Sequence, residues 1–366
     1  MSESVLQDGD IVVREFGALR RITLNRPQAL NAITLDMVVT MTALLRAWAD
    51  DPAVGAILLD GAGGRAFAAG GDIRALYDAA KAGDKKLPEK FWATEYHLNV
   101  LIARYPKPVI ALMDGVVMGG GVGLSAHASH RIVTQRSSVA MPEVAIGYFP
   151  DVGACFVLAR APGFVGTYLA LTGARAAAAD AIYCGLADLH IPAARLDELP
   201  AALAGARGMH DVKARLDKFS VPPAAGRLAA ARPWIDRCYG ADTVEEIFDR
   251  LAQSGEDEAR AALETMRKMS PTSLKITLRN IRSALSFEEV EQSFAQDYRV
   301  SLACVAEHDF IEGIRATIVD KDRNPVWRPD TLEGVTPDIV ERHFRAVGAL
   351  ELRFEKHRTF APSTGR

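Results

Sequence analysis

Three consecutive glycines, Gly119 to Gly121, constrain this chain more than any other feature of its sequence. They follow the apolar run Val116–Met118 and precede a segment that is compatible with a helix. Backbone amides without side chains are therefore expected at a helix start, where partial positive charge is available to an oxygen that becomes anionic. The positions of the glycines do not fit the G-x-G-x-x-G spacing of a dinucleotide-binding loop. The pattern instead indicates a site that stabilises an oxyanion.

Two carboxylates follow the glycines within a short span. Glu143 comes directly after Pro142, and Asp151 directly after Pro150. Such groups act as general bases or as nucleophiles in acyl chemistry. Each also fits a structural role, Glu143 as an acid in a first helical turn and Asp151 as a turn or cap residue. The residues alone leave both interpretations open.

A second glycine turn lies upstream. Gly70 and Gly71 precede Asp72, which is placed to cap a helix that begins near Ile73. Gly71 therefore offers a second bare amide. Two donors suit a thioester oxyanion because a carbonyl oxygen has two lone pairs, and each donor contributes about two to three orders of magnitude in rate. The sequence predicts an oxyanion hole formed by Gly71 and Gly120.

These motifs resemble those of the crotonase (enoyl-CoA hydratase/isomerase) superfamily, in order and in spacing, over nearly the whole chain. Asn25, Arg26 and Pro27, followed by Asn31 and Ala32, belong to the same resemblance. Four further segments are similar to a branch of that superfamily that hydrolyses acyl-CoA thioesters. They are residues 91–96, 141–151, 270–279 and 308–327.

The resemblance implies an α/β fold, a crotonase-like spiral of ββα units with a mainly helical C-terminal region. The Pro- and Gly-containing stretch 222–226 predicts the boundary, so the core is expected in residues 1–221 and the helical region in residues 222–366. It implies hydrolysis of a short-chain 3-hydroxyacyl-CoA thioester, with 3-hydroxyisobutyryl-CoA from valine catabolism as the expected substrate. Glu143 and Asp151 are then the catalytic residues, and Glu95 lies in the substrate site. The groove for CoA is expected along two segments, with Gln28, Ala29 and Leu30 in one and Ala69, Asp72 and Ile73 in the other.

One position departs from the hydratases of this superfamily. Those enzymes hold the attacking water between two glutamates, and the position of the first is occupied here by Gly123. Glu143 aligns with the second. Because glycine can neither hold nor deprotonate water, hydrolysis is favoured over hydration. An enoyl-CoA hydratase or isomerase stays as one alternative, since some isomerases use the single glutamate, and a non-catalytic acyl-CoA-binding protein is another.

Composition narrows the possible partners. Lys and Arg number 43 against 46 Asp and Glu, a balance that does not support nucleic-acid binding. The apolar stretch 108–126 contains Asp114 and five glycines, which favours a buried strand, turn and helix over a membrane span. The expected partner is an acyl-CoA substrate, without a cofactor beyond the CoA of that substrate. The resemblance is also compatible with a homo-oligomer.

Three further expectations concern location and metals. The N-terminus lacks a basic segment followed by an apolar one, and four scattered cysteines form no C-x-x-C motif. Both features predict a protein of the reducing cytoplasm. His127 and His130 stand three apart on a predicted helix but have no third ligand at a suitable spacing, so a structural role is favoured and no metal is expected.

Periodicity predicts several elements directly. Residues 11–24 read as a hairpin around Gly17, and residues 34–48 as a helix capped by Thr34. Strands are predicted at 56–59, 109–112 and 131–134, and helices at 244–269 and 287–307. Residues 361–366 have the composition of a frayed tail.

Overall fold

The computed structural model describes residues 5–354 of the 366-residue chain, so the tail predicted at 361–366 lies outside the described residues. The strands of this part are β1 Val5–Asp8, β2 Ile11–Phe16, β3 Leu19–Leu24, β4 Ala56–Gly61, β5 Ala66–Ala68, β6 Val109–Met113, β7 Val116–Met118, β8 His130–Val133, β9 Ser138–Ala140 and β10 Leu189–His190.

The α-helices are α1 Leu35–Ala49, α2 Ile73–Lys81, α3 Lys86–Ala103, α4 Gly120–Ala126, α5 Ala154–Leu158, α6 Val165–Thr172, α7 Ala178–Tyr183, α8 Leu199–Leu203, α9 Gly208–Leu216, α10 Leu228–Tyr239, α11 Val244–Gln253, α12 Asp257–Met266, α13 Pro271–Ala284, α14 Val290–Val305, α15 His308–Ile314 and α16 Pro337–Phe344. Short 3₁₀ turns occupy Pro27–Ala29, Glu143–Ile146, Ala193–Glu198 and Gly348–Leu350, and a π-helical turn occupies Arg315–Val319.

The strands form two separate sheets. The larger has the order β1-β2-β3-β4-β6-β8-β10, antiparallel from β1 to β3 and parallel from there on. The smaller is parallel and has the order β5-β7-β9. The chain passes repeatedly from the larger sheet to the smaller and then into a helix, as in β4, β5 and α2 or in β6, β7 and α4. The predicted α/β spiral of ββα units is confirmed.

Local signals explain where the first elements begin and end. Gly17 turns between β2 and β3 with a φ of 58°, which glycine adopts without strain. The side chain of Thr34 accepts a hydrogen bond from the Met37 amide at the start of α1, and Asp72 accepts one from the Ala75 amide at the start of α2. The predicted hairpin, both caps and the three predicted strands are confirmed.

Apolar side chains bury both faces of the larger sheet, as expected for a mostly parallel sheet. One core lies between this sheet and helices α8 and α9, with Leu58, Ile110 and Leu203 fully buried. The other core is much larger and continues from the sheets into the helices after residue 226. Helix α14 of this C-terminal part packs against α3. The C-terminal region is mainly helical, as predicted.

Two helix predictions need correction. The helix predicted at 244–269 is divided into α11 and α12, with Gly255 between them. The helix predicted at 287–307 begins later, at Val290, where Glu289 and Gln292 form a capping box. Within residues 5–354, no helix is at once long enough and apolar enough to cross a bilayer.

Candidate active site

A cavity of about 240 Å³ lies where α2, α3 and the first residues of α4 meet the turns at 143–146 and 315–319. It brings together most of the predicted site residues. Its lining consists of Ala69, Gly70, Gly71, Ile73, Leu76, Phe91, Trp92, Glu95, Met118, Gly119, Gly120, Pro142, Glu143, Ala145, Ile146, Tyr148, Asp151, Val152, Thr317 and Ile318.

The two predicted oxyanion donors lie close together at one wall of this cavity. A Cβ added at Gly120 would stand 3.3 Å from the backbone nitrogen of Gly71. Helix α4 begins at Gly120, and Gly119 before it has a φ of 48°. Among residues 5–354, neither amide donates a hydrogen bond to another protein group. Both donors are therefore available to a ligand oxygen.

Three carboxyl groups line the same cavity as these amides. Glu95 of α3, Glu143 of the 3₁₀ turn and Asp151 are only 3%, 7% and 5% exposed. A Cβ at Gly120 would lie 2.6 Å from Glu95 Oε1, and a Cβ at Gly119 would lie 3.0 Å from Glu143 Oε1. Glycine at both positions gives the carboxylates room beside the backbone.

The two glutamates keep unused hydrogen-bonding capacity. Within the described residues, Glu95 Oε1 and Glu143 Oε2 are buried without a hydrogen-bond partner. An orphaned buried carboxylate oxygen is costly, and in a native protein it commonly marks a place where function requires it. Both oxygens belong to side chains that line the cavity.

Burial changes the proton affinity of all three groups. It raises the pKa of Glu143 and of Glu95 well above the ordinary value, and the negative charge of Asp151 raises both further. Burial also raises the pKa of Asp151 to about 6, although hydrogen bonds from Tyr96 and Tyr148 oppose this. Carboxyl groups of this kind suit acid, base or nucleophilic chemistry near neutral pH.

Asp151 is held by a network of hydroxyl groups. Tyr96 donates to Asp151 Oδ2 at 2.7 Å and Tyr148 donates to the same oxygen at 3.2 Å. Both phenols also lie within hydrogen-bond distance of Ser301 Oγ, at 2.9 and 2.5 Å. Because one carboxylate oxygen receives both phenols, the orientation of Asp151 in the cavity is fixed.

Aromatic rings form the apolar wall. Trp92 stacks on Tyr148 with ring centroids 5.7 Å apart, and Phe310 meets both rings edge-on. Phe91 lies behind the Gly71 backbone, where a Cβ would be 3.1 Å from its ring. This wall excludes water from one side of the cavity, which strengthens electrostatic interactions inside it.

The structure brings together the two segments predicted to hold CoA. The Ala69 amide donates to the Leu30 carbonyl at 3.0 Å, and the Ile33 amide donates to the Gly70 carbonyl at 2.9 Å. Ala69 and Ile73 line the cavity, whereas Gln28, Ala29 and Leu30 do not and instead form or follow the turn at 27–29. Asp72 caps α2 and pairs with Arg26 at 3.3 Å.

Position 123 has no room for a side chain. A Cβ at Gly123 would stand 2.8 Å from Asn99 Nδ2 and 2.8 Å from Val152 Cβ. All three residues are buried, with Asn99 fully enclosed. The packing around Gly123 therefore leaves no space for the glutamate that hydratases have at this position.

The predicted arrangement of the two histidines is wrong. His127 follows the end of α4, whereas His130 begins β8, so they do not share a helix. His127 Nε2 contacts the Val152 carbonyl at 2.9 Å, and His130 Nδ1 contacts Ser129 Oγ. In the part of the chain that the structure describes, no three His, Cys, Asp or Glu side chains are grouped so as to hold a metal ion.

The sequence interpretation missed Tyr148 and Ser301. Tyr148 stands between the two predicted catalytic acids, a position that was a usable signal. Ser301 has no local signal, because its contact with Tyr148 joins residues 153 positions apart. The catalytic and binding roles of the predicted residues stay predictions.

Comparison of the sequence with known proteins identifies the family that this chain resembles. The sequence profile of the family described as "Enoyl-CoA hydratase/isomerase" matches residues 19–344. The mitochondrial 3-hydroxyisobutyryl-CoA hydrolase of Xenopus laevis is 40% identical over 360 residues, which cover 96% of this chain and 93% of that protein. Further relatives from vertebrates and from Arabidopsis thaliana, 38% to 40% identical, are named as the same hydrolase.

Two crystal structures are similar over nearly their whole length. One is titled a carnitinyl-CoA dehydratase from Mycobacterium thermoresistibile, with 44% identity, a TM-score of 0.90 and coverage of 96% of this chain and all of that chain. The other is titled an enoyl-CoA hydratase from Rhodobacter sphaeroides, with 42% identity, a TM-score of 0.87 and coverage of 94% and 100%.

These names correct the predicted location. The vertebrate relatives are named mitochondrial, which contradicts the cytoplasmic location inferred from the N-terminal residues. That inference used the composition of the first residues and the spacing of the four cysteines, and neither feature tells the cytoplasm from another reducing compartment.

Proposed function

This chain belongs to the enoyl-CoA hydratase/isomerase family, and we propose that it hydrolyses short-chain 3-hydroxyacyl-CoA thioesters, with 3-hydroxyisobutyryl-CoA as the preferred substrate. Relatives that share about 40% of its residues over most of its length carry that activity in their names. The observation that carries the proposal is the presence of Glu143, Asp151 and the bare amides of Gly71 and Gly120 in one cavity, together with a position 123 that has no room for a second glutamate.

The amides of Gly71 and Gly120 bind the thioester carbonyl oxygen. As the acyl carbon becomes tetrahedral, negative charge collects on that oxygen, and both N–H groups stabilise it more than they stabilise the ground state. The buried surroundings increase this effect because little water competes for the oxyanion.

Glu143 performs the attack by one of two routes. As a base, it takes a proton from water while the water oxygen bonds to the acyl carbon and the CoA thiolate leaves. As a nucleophile, its carboxylate displaces the CoA thiolate and forms an anhydride that water then opens. In water labelled with ¹⁸O, label in the Glu143 peptide after many turnovers arises only by the second route.

Asp151 recognises the acyl group. Its buried carboxylate accepts a hydrogen bond from the 3-hydroxyl of the substrate, while Tyr96 and Tyr148 hold it in place. An analogue without the hydroxyl leaves this carboxylate unsatisfied, which such a site rejects strongly. The segments 28–30 and 69–73 are proposed to bind the pantetheine arm and the adenine through backbone groups.

Hydration or dehydration of an acyl-CoA is the second candidate function. The dehydratase and the hydratase whose crystal structures resemble this chain favour it. Glu95 also adds a carboxylate to the cavity that can replace the one absent at position 123. In that case Glu95 and Glu143 would hold the water between them.

A panel of CoA thioesters separates the candidates. Release of free thiol is measured with 3-hydroxyisobutyryl-CoA, 3-hydroxypropionyl-CoA, isobutyryl-CoA and crotonyl-CoA, and loss of enoyl absorbance is followed with the last. Hydrolysis of the 3-hydroxyacyl substrates, abolished in Glu143→Gln, is the expected result. Rapid hydration of crotonyl-CoA without thiol release would contradict the proposal, and so would equal hydrolysis of isobutyryl-CoA. Tight binding of CoA without either reaction would indicate an acyl-CoA-binding protein.

A further inference from the structure

The turn that follows Asp151 has an unusual backbone. Val152 has a φ of 53° and Gly153 a φ of 70°. Glycine adopts this left-handed region freely, but a β-branched residue does so only under constraint. Val152 lines the cavity directly after Asp151, so a change in its backbone conformation would move the Asp151 carboxylate relative to the two phenols that bond to it.

Two side chains hold this turn from outside the cavity. The Gly153 amide donates to Asp297 Oδ2 at 2.9 Å. The Val152 carbonyl lies 2.9 Å from His127 Nε2, and since a carbonyl only accepts, the histidine carries its hydrogen on that nitrogen. Each contact fixes one of the two residues with positive φ. Such surrounding contacts are what a strained backbone requires in order to persist.

Burial of the ionisable carboxyl group of Asp297 destabilises the folded protein unless its oxygens are hydrogen-bonded. Asp297 is fully buried in α14, where burial raises its pKa, while the hydrogen bonds from Asn280 and from the Gly153 amide oppose this shift by favouring the ionised form. Its second oxygen accepts a 3.0 Å hydrogen bond from Asn280 Nδ2 of α13. Both oxygens therefore face N–H donors, an arrangement that an acceptor-only carboxylate satisfies and an amide does not.

The same helix reaches the surroundings of Asp151 at a second point. Ser301 lies one helical turn beyond Asp297, and its hydroxyl donates to the Asp297 carbonyl at 2.7 Å. Ser301 also contacts both tyrosines that bond to Asp151. Helix α14 of the C-terminal region thus contacts the two tyrosines of Asp151 through Ser301 and holds the turn behind Asp151 through Asp297.

We propose that Asp297 is a positioning residue that holds the Val152–Gly153 turn in its left-handed conformation and thereby aims the Asp151 carboxylate at the 3-hydroxyl of the substrate. This inference rests on the proposed function for its kinetic consequence. Its structural consequence, a turn that depends on Asp297, does not.

Asp297→Asn tests the inference with almost no change in volume. An amide presents one acceptor and one donor, so either the Gly153 amide or the Asn280 amide loses its acceptor. The misplaced Asp151 is expected to lower kcat/KM for 3-hydroxyisobutyryl-CoA by about 100-fold. The slower hydrolysis of isobutyryl-CoA should change far less, so the preference for the hydroxyl collapses. A merely structural defect would slow both thioesters equally and leave their ratio unchanged.

Ser293→Ala is the matched control. Ser293 lies one turn before Asp297 on α14, is equally buried, and its hydroxyl has no partner among the described residues. This variant should keep both the activity and the preference of the unchanged protein. Loss of the preference in Ser293→Ala as well would overturn the inference, because any disturbance of α14 would then suffice.

Hydrogen exchange makes the result independent of turnover. The peptide that contains residues 148–156 should exchange several-fold faster in Asp297→Asn than in the unchanged protein or in Ser293→Ala. Unchanged exchange in this peptide would overturn the positioning role even if activity falls. Absence of thioester hydrolysis in the unchanged protein would remove the proposed function, while the exchange measurement would still decide whether Asp297 holds the turn.

Discussion

The hydroxyl of Tyr96 donates a 2.7 Å hydrogen bond to Oδ2 of Asp151, a residue 55 positions further along the chain. The bond joins α3 to the turn that enters α5, and it stabilises the ionised form of a carboxyl group that burial pushes toward the neutral form. Removal of the Tyr96 hydroxyl should therefore raise the pKa of Asp151, while the weaker bond from Tyr148 stays in place.

The pH dependence of hydrolysis should reveal this bond. Glu143 must be ionised to act, and Asp151 must be ionised to accept the 3-hydroxyl, so activity falls as the pH drops through their raised pKa values. With the pKa of Asp151 at about 6, the acid limb of kcat/KM should lie near pH 6 or above rather than near 4.5. Tyr96→Phe removes the stabilising bond and should move the limb upward by about one pH unit.

Tyr105→Phe is the matched control for that profile. The Tyr105 hydroxyl donates to the Leu45 carbonyl, away from the cavity. Rates measured from pH 5 to 9 should give the same acid limb as the unchanged protein. An unshifted limb in Tyr96→Phe would show that Asp151 does not control this part of the profile.

Asp151→Asn should reduce the preference for the 3-hydroxyl. The amide oxygen can still receive the two phenols, but the charged acceptor for the substrate is lost. Hydrogen bonds to a charged group contribute about 1.5–3 kcal/mol, or roughly 10- to 100-fold in selectivity. The measurement is the ratio of kcat/KM for 3-hydroxyisobutyryl-CoA and isobutyryl-CoA. A ratio that survives the substitution would assign recognition of the hydroxyl to another residue.

The same substitution should stabilise the fold at high pH. Burial raises the pKa of Asp151 from 3.8 to about 6, so the folded protein holds this proton more tightly than the unfolded chain does. The resulting stability is fully present below about pH 4 and is lost as the pH rises through 6. Two pH units correspond to about 3 kcal/mol.

Urea unfolding of Asp151→Asn from pH 4 to pH 8 measures this effect. The variant should exceed the unchanged protein in free energy of unfolding at pH 8, by up to about 3 kcal/mol. The difference should shrink toward pH 4. If the difference in free energy of unfolding does not change with pH, ionisation of Asp151 does not destabilise the folded protein, and the prediction is wrong.

Gly120→Ala should disable the oxyanion site. The added methyl group would lie 2.6 Å from Glu95 Oε1 and 3.3 Å from the Gly71 nitrogen, in the space assigned to the carbonyl oxygen. A fall in kcat of about 100- to 1,000-fold is expected, comparable to the loss of one donor. Gly205→Ala is the control, since a Cβ there meets nothing within 4 Å. Near-normal thiol release by Gly120→Ala would place the oxyanion elsewhere.

Local signals made much of this site predictable. Gly71 and Gly120 can be recognised in the sequence because a ligand oxygen can approach the backbone closely only where there is no side chain. Asp72 and Thr34 can be recognised because each caps a helix through a bond to a residue three positions away. Glu143 and Asp151 lie close enough in sequence to be recognised as a pair. These features depend on the chain's immediate neighbours, which the sequence shows directly.

The residues that were missed act over longer distances. Ser301 reaches the tyrosines that bond to Asp151, and Asp297 reaches the turn behind it, only because α14 packs on α3 and α5. Nothing in their own segment marks either residue. The error at His127 and His130 has the same origin. Pairing of β8 with β6 draws His130 into a strand, and this tertiary contact overrides the local preference of the segment for a helix.

Gly123→Glu tests whether the missing carboxylate can simply be restored. Its Cβ would stand 2.8 Å from both Asn99 Nδ2 and Val152 Cβ, so the side chain must displace the turn that carries Asp151. Overpacking of this kind costs about 1–3 kcal/mol. The variant should unfold at lower urea concentration, lose thioesterase activity and fail to hydrate crotonyl-CoA.

In a Val152→Gly background, which removes one of the two contacts, the loss of stability should be smaller than the sum of the single effects. A stable Gly123→Glu protein that hydrates crotonyl-CoA would show that the site accepts a second glutamate, and the packing at position 123 would then not be what separates hydrolysis from hydration.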